Sequence, residues 1–341
     1  MAIVRHRLFW PVVALLALIV ANTLSTPTFL TIRVQDGHLF GALIDILRNS
    51  SPLILVALGM TLVIATRGID LSVGAVVAIS GAVALSFIAS SSQPGAVSTV
   101  LIAIAIALAL SLVLGTWNGF LVSVVGIQPI IATLVLMTAG RGIAMLITGG
   151  EITTINSPPY KTIGSGFWLG LPVSILIAGT LFALVAVLTR RTALGMLIES
   201  VGINPGASRL AGVRSRSIVW TVYALTGLFA GIAGLMMSSN VMAADANNVG
   251  LFIELDAILA VVIGGTSLAG GKFSLGGTLI GVFIIQTLSL TVTILGISPS
   301  ITPLFKALVV IAVCLLQAPI VRAKLTVRRP PAARATAEVA A

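Results

Sequence analysis

The chain has 341 residues, 58% hydrophobic and 8% charged, against about 25% charged in ordinary soluble proteins. This excludes a soluble globular enzyme and defines a polytopic membrane protein. Net charge is +10, but the cations lie between apolar runs and not on one basic face, so no nucleic acid partner is expected. A single cysteine, Cys314, allows no intrachain disulfide and no cysteine-rich metal site.

Crossing an apolar core of about 30 Å takes roughly 20 helical residues. Apolar runs of suitable length lie near 8–26, 51–66, 71–90, 98–123, 129–148, 171–189, 217–239, 254–270, 274–296 and 301–321. The expected fold class is therefore all-α, a helical bundle of about ten transmembrane helices. Arg5-His6-Arg7 ahead of the first run resembles a signal peptide, but no clear small-residue cleavage site follows, so the run reads as a retained span.

Ten spans place both termini on one side. With that side cytoplasmic, its segments collect Arg5, Arg7, Arg67, five arginines of one loop, Lys272, Arg322, Lys324, Arg328, Arg329 and Arg334. The outer segments keep Arg33, Arg48 and Lys161, and Arg141 and Lys306 fall within or near spans. This bias sets the orientation. The expected division is a permease domain over 1–327 and a disordered cytoplasmic tail over 328–341, rich in Pro, Ala and Arg.

The second and third spans meet at Thr66-Arg67-Gly68-Ile69-Asp70-Leu71-Ser72, where Arg67 and Asp70 are close enough to pair and Asp70 or Ser72 can cap the next helix. The alternative for Asp70 is a substrate contact. A weak echo at Gly264-Gly265-Thr266-Ser267-Leu268-Ala269-Gly270-Gly271 points to an internally repeated transporter. Gly227…Gly231 and Gly277…Gly281 have the spacing of closely packed helices.

The loop 190–216 carries Arg190, Arg191, Arg209, Arg214, Arg216 and Glu199 between two uncharged runs. One arginine at the bilayer centre costs about 3 kcal/mol, so the loop lies in water. Its apolar residues alternate with Gly195, Gly202, Asn204, Gly206 and Gly212, the pattern of two short amphipathic helices joined at Asn204-Pro205-Gly206. Gly202 and Asn204 are expected to permit a sharp turn there. Such a loop is either a docking surface for a cytoplasmic partner or a basic helix lying on anionic membrane lipid.

His6 and His38 are the only histidines and both lie outside the deep spans, which leaves no ligand or base for histidine-based metal or nucleophile chemistry within the membrane. No cofactor is expected. Trp117, Asn118, Gln128, Thr133, Arg141, Asn240, Glu254, Asp256 and Gln286 are polar residues within spans or at their ends, serving helix-to-helix hydrogen bonds or a substrate pathway. Asp245, Asn247, Asn248, Glu254 and Asp256 place five polar groups within twelve residues at an apolar edge. They read as a sugar's entry, or as turn residues and the acids of a helix N-terminus.

Three stretches resemble the ribose/xylose/galactoside class of ABC-importer permeases: Gly59-Met60-Thr61…Thr66-Arg67-Gly68-Ile69-Asp70-Leu71-Ser72-Val73-Gly74, Ala193-Leu194-Gly195…Val201-Gly202-Ile203-Asn204…Gly212-Val213, and Glu254-Leu255-Asp256-Ala257-Ile258…Gly264-Gly265-Thr266-Ser267. The resemblance runs from about residue 40 to 320. It implies a non-catalytic, multi-pass subunit of the bacterial inner membrane, importing galactofuranose or another pentose or hexose. It further implies a separate cytoplasmic ABC ATPase, a periplasmic sugar-binding protein and a second permease, identical or related. On this resemblance Gly195, Glu199, Gly202, Asn204, Arg209 and Gly212 couple to the ATPase. The substrate pathway would be Asp70, Trp117, Asn118, Arg141, Asp245, Asn247, Asn248, Glu254 and Asp256. Met196 stands where many members carry arginine. An ion-coupled secondary sugar transporter would need no ATPase, and a channel or scaffold no binding protein.

Overall fold

A computed structural model describes residues 8–317, so the expected tail over 328–341 lies outside the described residues. Among those residues, seven helices are long and apolar enough to cross a membrane. They are α2 (Ala42–Ala65), α3 (Val73–Ser90), α4 (Val97–Phe120, continued by a π-turn over Leu121–Val125), α5 (Pro129–Thr148), α7 (Val173–Arg191), α10 (Ser215–Val241) and α12 (Leu275–Ile294). Three shorter apolar helices complete the set of expected runs: α1 (Phe9–Ser25), α11 (Ile253–Ile263) and α13 (Thr302–Gln317). The class is all-α, with three two-stranded ribbons in the connections: β1 (Arg33–Gln35) with β2 (His38–Phe40), β3 (Thr153–Thr154) with β6 (Ala243–Ala244), and β4 (Phe167–Trp168) with β5 (Leu171–Pro172). Short α6 (Pro158–Ser165), α8 (Ala193–Ile203) and α9 (Pro205–Leu210) lie outside the spans.

Two expected boundaries change. The second span begins at Ala42, nine residues before the apolar run at 51. Its early turns carry Asp45, Arg48 and Asn49, which hydropathy assigns to a loop; Asp45 and Arg48 pair there, and the turns that follow are packed inside the bundle. In its most apolar stretch 78% is buried, against 28% for α4 and α5. The eighth run, expected over 254–270, is helical only over the 11 residues Ile253–Ile263. At 1.5 Å per residue that is about 16 Å, half a bilayer core. The stretch 242–252 that leads into it is irregular and leaves Asn247, Asn248, Leu251 and Phe252 exposed.

Small residues set the packing. Added Cβ atoms at Gly227 and Gly115 would strike each other's helix backbone, and the same holds for Gly264 and Gly277, so α10–α4 and the α11–α12 hairpin approach at backbone distance. The two glycine spacings in the sequence therefore do serve helix contact. Polar ties supplement them: Thr61 and Thr278 hydroxyls 2.8 Å apart join α2 to α12, and Ser80 donates to Gly231 O at 2.8 Å between α3 and α10.

Candidate functional site

The two ends of α2 define two polar regions. At its Asp45 end lies a cavity of about 350 Å³, lined by Arg48, Asn49, Ser174, Asn240, Asn248, Asp256 and Gln286, with Leu53, Met236, Met237 and Ile253 as apolar wall. This is within the roughly 300–1,000 Å³ of small-molecule sites. α2, α7, α10, α11 and α12 each contribute a side chain, so the cavity is a property of the bundle. Both of its charged groups are already neutralised. Arg48 sits 3.3 Å from Asp45, and Lys306 on α13 holds Asp256 at 2.6 Å. What remains is a set of amides, together with the buried Ser174 Oγ and Arg48 Nε, which have no hydrogen-bond partner.

The floor of this cavity is held by Arg141. Twelve residues beyond the start of α5, its Nη1 donates to Ala246 O at 3.0 Å and Val249 O at 2.7 Å. Glu254 and Asp245 also act on it electrostatically. Asp245 forms a tight Asx turn, accepting from the backbone N–H groups of Asn247 and Asn248 and from Asn248 Nδ2 at 2.7 Å. That amide donation first, then the backbone donors, hold the Asp245 carboxyl below the usual aspartate range. Glu254 is buried against α3: a Cβ on Gly74 would meet its Oε2 and Gly250 O. Gly250 and Phe252 both have positive φ, 69° and 62°, and for Phe252 that is a strained backbone at the mouth of a half-helix.

The nine expected pathway residues therefore separate into three groups. Asn248 and Asp256 line the cavity. Arg141, Asp245, Asn247 and Glu254 build the irregular segment beneath it. Asp70, Asn118 and Trp117 lie towards the opposite end of α2. There Asp70 Oδ1 accepts from Ser72 N at 3.0 Å and Ser72 Oγ at 2.6 Å, and Asn118 Nδ2 donates to Ser72 Oγ at 2.8 Å. Asp70 thus fastens the turn to α4. Neither it nor Ser72 makes a side-chain cap on α3. Trp117 is 53% exposed and stacks on Phe120 on the outer surface. The residues that sequence reading passed over are Arg48 and Asn49, hidden in an apparent loop, and Lys306, which partners Asp256.

Arg67 does not pair with Asp70. Its Nη2 donates to Ile203 O in α8, its side chain covers Gly270, and Gly271 N donates to Ala65 O at 2.9 Å. The two glycine-containing turns and the 190–216 loop therefore meet at one place. Gly202 lies inside α8 and is not a turn residue: a Cβ there would fall 1.8 Å from Ala65 O and 2.6 Å from Gly271 N. Its role is close approach. The turn itself belongs to Asn204, whose Oδ1 caps α9 by accepting from Gly206 N and Ala207 N at 3.0 Å each. Gly195 packs on Thr189 O, Gly212 adopts φ 84° after α9, and Glu199 lines a groove with Arg190 and Met196. The seated face holds Ile198 and Val201. The free face presents Met196, Ile203 and Leu210, 68%, 57% and 93% exposed.

Breaking the Asp256–Lys306 pair tests whether it is structural. Asp256→Asn leaves a largely buried ammonium without its anion and is expected to cost about 1–3 kcal/mol. Asp256→Asn with Lys306→Gln is expected to recover most of that loss in the thermal midpoint of the solubilised chain. Equal midpoints for the single and double variants would show that the pair adds nothing.

A multi-span bundle with a polar cavity beside a half-length helix at one end, and a helical loop clamped to two turns at the other, is the architecture of a transport permease. The chain belongs to the family described as "Branched-chain amino acid transport system / permease component", which matches residues 42–314. It is 48% identical over 319 residues to the galactofuranose transporter permease protein YtfT of Escherichia coli (strain K12), covering 92% of each chain. It is 43% identical over 323 residues to the fructose import permease protein FruF of Bifidobacterium longum (93% of this chain, 89% of that one). Identity to the ribose import permease protein RbsC of Escherichia coli (strain K12) is 38% over 308 residues (89% and 91%). No solved structure matches the chain.

Proposed function

We propose that this chain is the membrane-spanning subunit of an ATP-binding-cassette importer and passes a neutral monosaccharide through the cavity between α2, α10, α11 and α12. The observation that carries the reading is the chemistry of that cavity. An amino acid would need an unpaired cation for its carboxylate and an unpaired anion for its ammonium, whereas Arg48 and Asp256 are both engaged within the protein. Asn49, Asn240 and Gln286 remain, amides that both donate and accept and so suit a ring of hydroxyls, with Asn248 beside them although its Nδ2 already donates to Asp245. The relatives named for galactofuranose, fructose and ribose support a sugar over the amino acid of the family's description.

In this reading the 190–216 loop faces the cytoplasm of a bacterial inner-membrane protein and docks a separate ATPase through Met196, Ile203, Leu210 and the neighbouring Arg190 and Arg191. Both termini lie on that side, and a periplasmic sugar-binding protein and a second permease complete the importer.

The test is uptake of radiolabelled galactofuranose, fructose and ribose into proteoliposomes holding the permease, its ATPase and loaded binding protein. Gln286→Leu removes a cavity amide that makes no hydrogen bond of its own within the described chain and is expected to lower uptake about tenfold, the effect of one strong hydrogen bond. Basal ATP hydrolysis should stay within twofold. Asn248→Ala is the poorer probe, because it would also undo the Asp245 turn. Unchanged uptake in Gln286→Leu would remove the cavity from the pathway, and uptake without ATPase would overturn the importer class.

A further inference from the structure

A second cavity, of about 360 Å³, lies beside the 190–216 loop at the far end of α2. Its lining includes Arg209 and Arg216 from the loop and the start of α10, Tyr223 from α10, and Ser123, Val124 and Val125 from the π-turn that ends α4. No acidic residue lines it, and neither arginine belongs to an ion pair among the described residues. Tyr223 is fully buried, yet its hydroxyl has no hydrogen-bond partner, and Ser123 Oγ is likewise buried and unpartnered. Buried hydroxyls are normally satisfied. Two of them in a cavity that also carries two unneutralised guanidinium groups are the complement of a phosphate oxygen set. A π-turn is a local distortion that recurs where a helix serves a ligand.

We propose that this cavity holds the phosphodiester headgroup of an anionic phospholipid from the leaflet beside the loop. The apolar side of the cavity favours a lipid over a soluble anion. Val124 and Val125 are 44% and 54% exposed and continue the outward face of α4, where Trp117 and Phe120 are also exposed. An acyl chain lying along those residues brings its phosphate to the arginines. The inference stands apart from the sugar pathway and from the direction in which the chain faces.

The experiment uses the permease purified with its ATPase and reconstituted in nanodiscs of phosphatidylcholine with one-tenth phosphatidylglycerol. After detergent washing, native mass spectrometry counts the lipid retained per permease chain. Wild type is expected to keep one phosphatidylglycerol despite the ninefold excess of phosphatidylcholine. Arg209→Gln with Arg216→Gln should cut retention about tenfold. Tyr223→Phe removes one hydroxyl from an otherwise unchanged ring, and should reduce it severalfold in a protein whose thermal midpoint is unmoved. Equal retention in all three proteins, or equal retention of both lipids, overturns the site. Phosphatidylglycerol retention unchanged while the arginine variant loses its ATPase assigns the arginines to that partner and overturns it too. Arginine-dependent protection by inorganic phosphate in a protein that keeps no phosphatidylglycerol would make the ligand a soluble anion and overturn the lipid.

Discussion

Gly202→Ala is expected to disable the permease, although it adds a single methyl group to a residue already in helical conformation. The new carbon would lie 1.8 Å from Ala65 O and 2.6 Å from Gly271 N, and both are backbone atoms that cannot rotate away. Relief requires α8 to lift off the end of α2, which breaks the Arg67 hold on Ile203 O and the Gly271-to-Ala65 hydrogen bond together. Overpacking of this kind costs about 1–3 kcal/mol before those losses are counted. The measurements are the thermal midpoint of the solubilised chain, expected to fall by several degrees, and uptake in the assembled importer, expected to be lost. Gly206→Ala is the control, since its nearest neighbour is the flexible Asn204 Oδ1 at 3.3 Å. Equal behaviour of the two variants would mean that the crossing is not as close as described.

The second large effect is expected at Arg141. Arg141→Met keeps much of the side chain's length and removes both donors, leaving Ala246 O and Val249 O without the guanidinium that satisfies them. At about 1.5–3 kcal/mol for each hydrogen bond to a charged group, the loss is about 3–6 kcal/mol. The stretch 242–252 should come loose at its inner end. Single cysteines at Asn247 and Leu251 report this as faster labelling by an impermeant maleimide, and uptake should fall with it. Arg141→Lys is expected to lie between, because one ammonium can reach two carbonyls but not in the same plane. If the methionine variant labels no faster than the parent, the arginine does not hold the segment.

Sequence reading located each apolar run because lipid-facing helices advertise themselves. The same logic misplaced the start of α2. Asp45, Arg48 and Asn49 look like loop residues only on the assumption that every helix turn meets lipid, whereas Arg48 pairs with Asp45 and, with Asn49, faces the cavity. It also lengthened α11, since Gly264-Gly265 and Ala269-Gly270-Gly271 are apolar by composition, yet the helix stops at Ile263 and Gly265 just beyond it has positive φ, as have Gly270 and Gly271 further on. The loop 190–216 was more legible. Thr192 and Asn204 are local capping signals that act within three residues, so α8 and α9 fall where the pattern put them. The site was less so. Lys306 and Asp256 are 50 residues apart, and Arg67 reaches across 136 to Ile203, separations to which no local pattern is sensitive.

The shortness of α11 bears on how the chain enters the membrane. A segment of 11 apolar residues, preceded by a polar, bent stretch with Asp245, Asn247 and Asn248, is too short to partition into lipid by itself. Its backbone fits α12 at glycine-to-glycine distance, so α11 and α12 form a ready-made helical hairpin that can move out of the insertion machinery as one body. Stable insertion of this hairpin is therefore expected only once Ile294 has been synthesised, and for that interval α2, on which both helices pack, has one flank unoccupied.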